Sequence, residues 1–229
     1  YRVDFGETVS GWVRLHGVRG DAGRRIEIKY LSESPNGSNV YTMKGEGPED
    51  YATRFTWYVF REVELSGWPG ELHPGQLTAE AVYSDVETTG GFACSNPLLN
   101  RIDRIWWRTQ LDNMHGAVAS DCPHRERCGW LGDAHAVAPF ESMNYGMNNF
   151  WMKYMGDVSS SSSVFLENTL HQKLHNSEFY FADKQPGIPF MISPGRRLCG
   201  VASPDWGTAV VQIPWDIYLY FGNKEALET

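Results

Sequence analysis

Ser120-Asp121-Cys122-Pro123-His124-Arg125-Glu126-Arg127-Cys128-Gly129-Trp130-Leu131-Gly132-Asp133 is the stretch around which the chain is arranged. Three carboxylates, two arginines, one histidine and one tryptophan crowd into it. Pro123, Gly129 and Gly132 break any long regular element, so the stretch reads as a shaped loop between helices. Loops carried on a rigid scaffold are where catalytic groups concentrate. Carboxylates set among arginines and an aromatic wall can hold different protonation states at one pH, which acid/base work on a neutral polar substrate requires. A solvated, salt-bridged surface has the same composition. A zinc site built from Cys122, His124, Cys128 and His135 has spacing unlike the usual paired C-x2-4-C and H-x3-5-H ligands, so no metal is assigned.

The run Asp121-Cys122-Pro123-x-Arg125-Glu126-Arg127-x-Gly129-Trp130-x-Gly132-Asp133 resembles the signature of the α-L-rhamnosidases of glycoside hydrolase family 78. The resemblance implies that Glu126 is the general acid and that Asp121 and Asp133 hold sugar hydroxyls. Arg125 and Trp130 would line the same pocket. His124 stands where many members carry Gln, and the run is one acidic residue shorter than in many of them. Looser resemblances precede it in the same order: Asp4-Phe5-Gly6, Ser10-Gly11-Trp12-Val13, Tyr41-Thr42-Met43-Lys44-Gly45 and Arg54-Phe55-Thr56-Trp57-Tyr58-Val59-Phe60-Arg61. These look like the β-sandwich that precedes the catalytic domain in that family. Ser203-Pro204-Asp205-Trp206-Gly207-Thr208-Ala209 resembles the Trp-Gly-Asp-Ala stretch placed over the sugar, with Thr208 where many members have Asp. Trp206 is therefore a candidate stacking residue.

Outward from the signature, the chain divides near Thr88-Thr89-Gly90-Gly91. Residues 1–88 read as a β domain. Trp12-Val13-Arg14-Leu15 and Ile26-Glu27-Ile28-Lys29-Tyr30 alternate apolar and polar, as do residues 55–65 and 76–84, which predicts half-buried antiparallel strands of a sandwich. Ser34-Pro35-Asn36-Gly37-Ser38 reads as a turn. Beyond the boundary, Asn96 caps a helix beginning at Pro97, and Leu98, Ile102 and Ile105 recur at helical spacing, predicting a buried amphipathic helix to about Met114. Trp106 and Trp107 are read as packing. One helix is expected from Asp133 towards Tyr154, with Pro139 kinking it or sitting in its first turn; Asp133 there serves equally as sugar ligand or helix cap. Ser159–Ser163 is expected to be a flexible connection, residues 164–175 a helix, and the stretch around Pro186, Pro189 and Pro194 a long loop. A last helix is expected from about Trp215 to the end, with no closing cap.

On this reading the fold is multidomain, α and β: an antiparallel β-sandwich over 1–88, then over 92–229 the first helices of an (α/α)6 barrel, the catalytic architecture the resemblance implies. The barrel in that family is longer than 92–229 allows, so a truncated segment, inactive by itself, is the expectation. The 229 residues carry a net charge of -8, which excludes a basic nucleic-acid groove. No apolar run reaches the roughly 20 residues of a membrane span. Nine Trp and eleven Tyr suit sugar stacking as well as a large core. Four scattered cysteines fit no disulfide framework and leave the compartment open. No cofactor is called for. The implied partner is a rhamnose-containing glycoside or oligosaccharide, hydrolysed with inversion. Two other readings stay open, a non-catalytic carbohydrate-binding fragment and an (α/α)6 hydrolase for another sugar.

Overall fold

The computed structural model describes residues 1–31, 37–163, 189–194 and 203–228. Its contacts separate two compact units, one made of Tyr1–Tyr83 with Cys122–Glu126, the other of Ser84–Asp121 with Arg127–Thr229.

The first unit is a curled six-stranded antiparallel sheet of β1 (Arg2–Val18), β2 (Arg25–Tyr30), β3 (Ser38–Thr42), β4 (Glu49–Ala52), β5 (Tyr58–Ser66) and β6 (Leu77–Ala81). One long strand organises it. The first half of β1 pairs with β5 and its last residues with β4, while β6 runs along the opposite edge from Gly11 to Leu15. The β1–β5 register shifts between Asp4 and Val9 and the β1–β4 register between Leu15 and Val18, and such irregularities bend a strand. Strict alternation follows from the two-residue period of the backbone. Val13, Leu15, Ile26 and Ile28 are wholly buried, whereas Trp12 and Arg14 face the other way. Tyr30 stacks on Tyr58 with ring centroids 4.0 Å apart, and its hydroxyl donates to Asn39 Oδ1 at 3.0 Å. The four strands expected from alternation are present, with the β5 strand starting at Tyr58. β3 and β4 were not anticipated. Residues 34–36 of the expected turn lie outside the described residues.

The second unit is helical: α1 (Pro97–Asp112), α2 (Leu131–Asn144), α3 (Asn148–Ser163), α4 (Pro204–Gly207) and α5 (Ala209–Phe221), then a 3-10 turn at Glu225–Leu227. Asn96 caps α1 as expected, its side chain accepting from the Leu98 N–H at 2.9 Å. Its apolar stripe is not buried, however. Leu98 is 62% and Ile105 57% exposed, because periodicity reports which face seeks cover and does not supply the cover. Trp106 and Trp107 do pack, on Phe140 and Tyr145, with centroids 5.0 and 4.6 Å apart.

The single helix expected from Asp133 to Tyr154 is two. The break at Tyr145–Met147 is used structurally, since Thr89 and Gly90 donate their N–H groups to Asn144 O and Tyr145 bridges to Thr88. Pro139 sits inside α2. Ser159–Ser163 does not form a flexible linker. It is the last part of α3, continued from a buried turn that includes Tyr154 and Val158; serine's modest helix propensity is overridden by packing already in place. The final helix begins at Ala209 and does have a cap, Gly222 at φ 67°, whose N–H returns to Tyr218 O. The expected helix at 164–175 lies outside the described residues. α5 packs against both α2 and α3, and Trp151, Tyr154, Ile213 and Ile217 form the shared core.

Glu141 lies in that interior at 1% exposure, and among the described residues its Oε2 has no hydrogen-bond partner. Burial pushes its carboxyl up to about 8. The sign follows from linkage. Between the ordinary carboxylate range and pH 8 the unfolded chain is ionised while the folded one keeps its proton, so stability falls as pH rises. The cost is on the order of 3 kcal/mol by pH 7. Glu141→Gln should therefore raise the unfolding temperature at pH 7–8 and leave it nearly unchanged near pH 4.5. Parallel thermal melts of wild type and variant across that range check this, and a constant offset would refute the assignment.

Candidate active site

The signature divides between the two units, and each part is described within its own. In the β unit, Cys122–Glu126 forms a tight turn in which the Glu126 N–H donates to Cys122 Sγ at 3.3 Å. The Trp57 indole N–H, just ahead of β5, donates to Pro123 O at 2.9 Å and so ties the turn to the sheet. Arg125 Nη2 stands 3.6 Å from Glu126 Oε1, with the Arg125 side chain 74% exposed and that of Glu126 24%. A pair so open to solvent is worth little as a clamp. Glu126 is held by its backbone turn, and Arg125 reaches outward.

In the helical unit the backbone is held from several directions. Asp121 N–H donates to Cys128 O at 3.2 Å, and Asp121 Oδ1 accepts from Cys128 N–H at 3.3 Å, which closes the base of the loop across Arg127 at φ 55°. Gly129–Leu131 then pairs antiparallel with Met191–Ser193: Ser193 N–H donates to Gly129 O at 2.8 Å and Leu131 N–H to Met191 O at 2.8 Å, with Trp130 opposite Ile192. From beneath, the Tyr154 hydroxyl of α3 donates to the same Gly129 carbonyl at 3.2 Å. Burial pushes the Tyr154 phenol well above its usual range, and the charges of Asp133, Asp157 and Glu141 push it further. It therefore acts as a donor at every working pH.

Trp130 is the N-cap of α2, and Asp133 lies in the first turn of that helix, where the exposed N–H groups and the dipole favour a negative side chain. Asp133 is thus a first-turn residue and not the cap. The Trp206 indole, on α4, lies over Gly132: a Cβ built on Gly132 would come within 2.6 Å of the ring. Its Nε1 has no partner among the described residues. Thr208, at the position where an acid was considered, bonds its own turn at Asp205 O, 2.7 Å away. Trp130, Asp133 and Trp206 are therefore gathered at the start of α2, while Asp121 serves the base of the loop. Arg125 and Glu126 belong to the β-side turn.

Three supports were not anticipated: Trp57, Tyr154 and the Met191–Ser193 segment. Tyr154 reads in the sequence as one more helical core residue, and only the third dimension reveals that its hydroxyl meets a loop carbonyl. Among the described residues no group of three or more His, Cys, Asp or Glu is placed to hold a metal ion, and none of the helices is long and apolar enough to cross a membrane.

The model of the bacterial alpha-L-rhamnosidase 6 hairpin glycosidase domain matches residues 87–229. The chain belongs to this family. It is 35% identical over 96% of its length to an alpha-L-rhamnosidase of Formosa agariphila, of which it spans 24%, and 29% identical over 98% of its length to one of Streptomyces avermitilis, of which it spans 21%. Among solved structures it resembles the alpha-L-rhamnosidase of Dictyoglumus thermophilum, with a TM-score of 0.79 at 29% identity over all of this chain and 25% of that one. A Streptomyces avermitilis alpha-L-rhamnosidase complexed with L-rhamnose gives a TM-score of 0.78 at 27% identity over 99% of this chain and 21% of that one. The chain thus spans about a quarter of the length of these relatives. Its mixed architecture, a curled antiparallel sheet with helices, is that of the rhamnosidase structures.

Gly129 is the most constrained point of the loop. A Cβ there would stand 2.1 Å from Ser193 O and 2.8 Å from Val118 Cγ1, and backbone oxygen cannot rotate away. Gly129→Ala should cost about 2 kcal/mol or more through overpacking and loss of the Gly129–Ser193 bond. A fall of several degrees in the unfolding temperature of the full-length protein checks this; an unchanged or raised temperature would contradict it.

Proposed function

We propose that the full-length protein is an inverting α-L-rhamnosidase that releases terminal α-L-rhamnose from glycosides or polysaccharides. Membership of the family carries the glycoside hydrolase reading, and the observation that most favours this chemistry is the intact signature with Trp130, Asp133 and Trp206 gathered at the N-terminus of one helix. On this reading the β unit is part of a β-sandwich, and residues 92–229 contribute the first helices of an (α/α)6 barrel.

Glu126 is the general acid. Its carboxyl protonates the departing glycosidic oxygen while a second carboxylate activates a water on the opposite face of the ring, the two groups standing roughly 6.5–9.5 Å apart in inverting enzymes. Asp121 and Asp133 bind sugar hydroxyls and, as anions, stabilise the positive charge that develops at the anomeric carbon. Trp130 and Trp206 present indole faces to the apolar C–H face of the sugar. Arg125 lines the same pocket. No water-activating carboxylate is assigned within these residues, so the 229-residue segment alone is expected to be inactive on aryl rhamnosides.

The test is release of nitrophenol from p-nitrophenyl α-L-rhamnoside by the longest natural chain containing this segment. Glu126→Gln should lower turnover by roughly 10²–10⁴-fold, the usual worth of a positioned acid, and change rhamnose affinity only a few-fold. Wild-type rates in the variant would remove Glu126 from the acid role. A wild-type protein that binds rhamnose without turnover would favour the carbohydrate-binding reading.

A further inference from the structure

The outer face of the β unit holds a cavity of about 520 Å³ lined by Trp12, Arg14 and the stretch Asp50–Arg54. Every one of these residues belongs to the β unit itself. The hollow follows from the strand pattern. Trp12 and Arg14 leave β1 on the face opposite the buried Val13 and Leu15, and Arg14 pairs across with Ala52 of β4. A small side chain thus lies between large ones, and the volume falls within the roughly 300–1,000 Å³ typical of small-molecule sites.

Its walls are fixed. The Trp12 indole N–H donates to Glu80 Oε2 at 2.7 Å, and Arg14 grips the same carboxylate with Nε and Nη2 at 2.5 and 3.0 Å. Trp12 therefore presents its ring in one orientation. At the rim Asp50 takes the Gly17 N–H on Oδ1 at 2.8 Å and keeps a second oxygen for a ligand. Arg54 is exposed and has no hydrogen bond or ion pair among the described residues. Two guanidiniums, Arg14 and Arg54, balance two carboxylates, Asp50 and Glu80. With no net charge the hollow offers little to an anion or a cation. An aromatic face flanked by one free donor fork and one free acceptor suits a neutral polyol with vicinal hydroxyls.

We propose that this hollow is a carbohydrate subsite separate from the signature residues: a neutral sugar ring stacks on Trp12 while Arg54 and Asp50 bond adjacent hydroxyls. The site depends on β-unit residues alone and stands or falls independently of the role of Glu126.

The experiment uses the full-length protein labelled with 5-fluorotryptophan, with the Trp12 fluorine resonance assigned by Trp12→Phe. Methyl α-L-rhamnoside, methyl β-D-galactoside and methyl α-D-glucoside are titrated as neutral probes, with sodium D-galacturonate as a charged control. At least one neutral glycoside should shift the Trp12 resonance saturably at millimolar concentration. Arg54→Ala and Asp50→Asn should each weaken that binding on the order of tenfold or more, the loss of about one good hydrogen bond to a charged group. Both leave aryl-rhamnoside turnover unchanged. Arg54 makes no hydrogen bond or ion pair among the described residues, so its removal does not threaten folding, and an unaltered melting curve verifies that. Absence of a saturable shift with all three neutral probes overturns the proposal, as does a shift insensitive to both variants or a preference for galacturonate.

Discussion

The helical unit depends on one carbonyl. Gly129 O receives both the Ser193 N–H and the Tyr154 hydroxyl, and the Gly129 Cα has no room for a side chain. Two donors from two different segments meeting at one oxygen leave the peptide a single orientation, and that peptide leads directly into Trp130 and the first turn of α2. An aromatic platform is useful only when its plane is set before the ligand arrives, since ordering it afterwards would be drawn from the binding energy. The indole of Trp206 lying on Gly132 extends the same device by one more residue, because a glycine in the first turn lets a ring come into van der Waals contact with the helix backbone.

A comparable division of labour runs through the β unit. The two-residue period that buries Val13 and Leu15 forces Trp12 and Arg14 outward, so one strand builds a core and an outer surface together. Glu80 resolves the outward side. It satisfies the indole N–H and the guanidinium at once, and the Arg14 guanidinium in turn holds the Glu80 carboxyl below the usual carboxylate range. The result is an outer face whose aromatic and charged groups are fixed relative to one another, which is more order than a solvated sheet surface needs for stability alone, given how little exposed ion pairs contribute.

Legibility in the sequence tracked the physical range of each signal. Period-2 alternation located β1, β2, β5 and β6 because burial of one face acts residue by residue. β3 and β4 were missed because they are short, five and four residues with few apolar side chains to set a period. The Asn96–Pro97 start of α1 was legible since a cap is a local bond. The split between α2 and α3 was not, because it is imposed by Thr89 and Gly90 bonding to Asn144 O, donors more than fifty residues earlier in the chain. Ser159–Ser163 misled for the same reason: its composition speaks for a linker, and packing of the preceding turns decides for a helix. The site divides likewise. The candidate site residues were read from the signature, whereas Trp57, Tyr154 and Met191–Ser193, which hold the signature in place, are ordinary residues whose role arises only from where the fold sets them.

Glu141 sharpens that distinction. A strongly raised carboxyl in a helix beside a candidate site is the pattern by which catalytic acids are often found. Here desolvation is the cause of the shift, with no charged partner opposing or assisting it, and the residue lies two turns beyond Asp133, roughly 12 Å along α2. Its consequence is electrostatic quiet. A protonated Glu141 adds no charge to the interior at neutral pH, and the first turn of α2 presents Asp133 as its one acidic side chain. Were Glu141 ionised, a second anion on the same helix would oppose the charge of Asp133 through a medium of low dielectric, where such repulsion is several times stronger than in water. Burying the acid so that it stays neutral costs stability as the pH rises, and what the fold gains is a helix terminus whose field is set by Asp133.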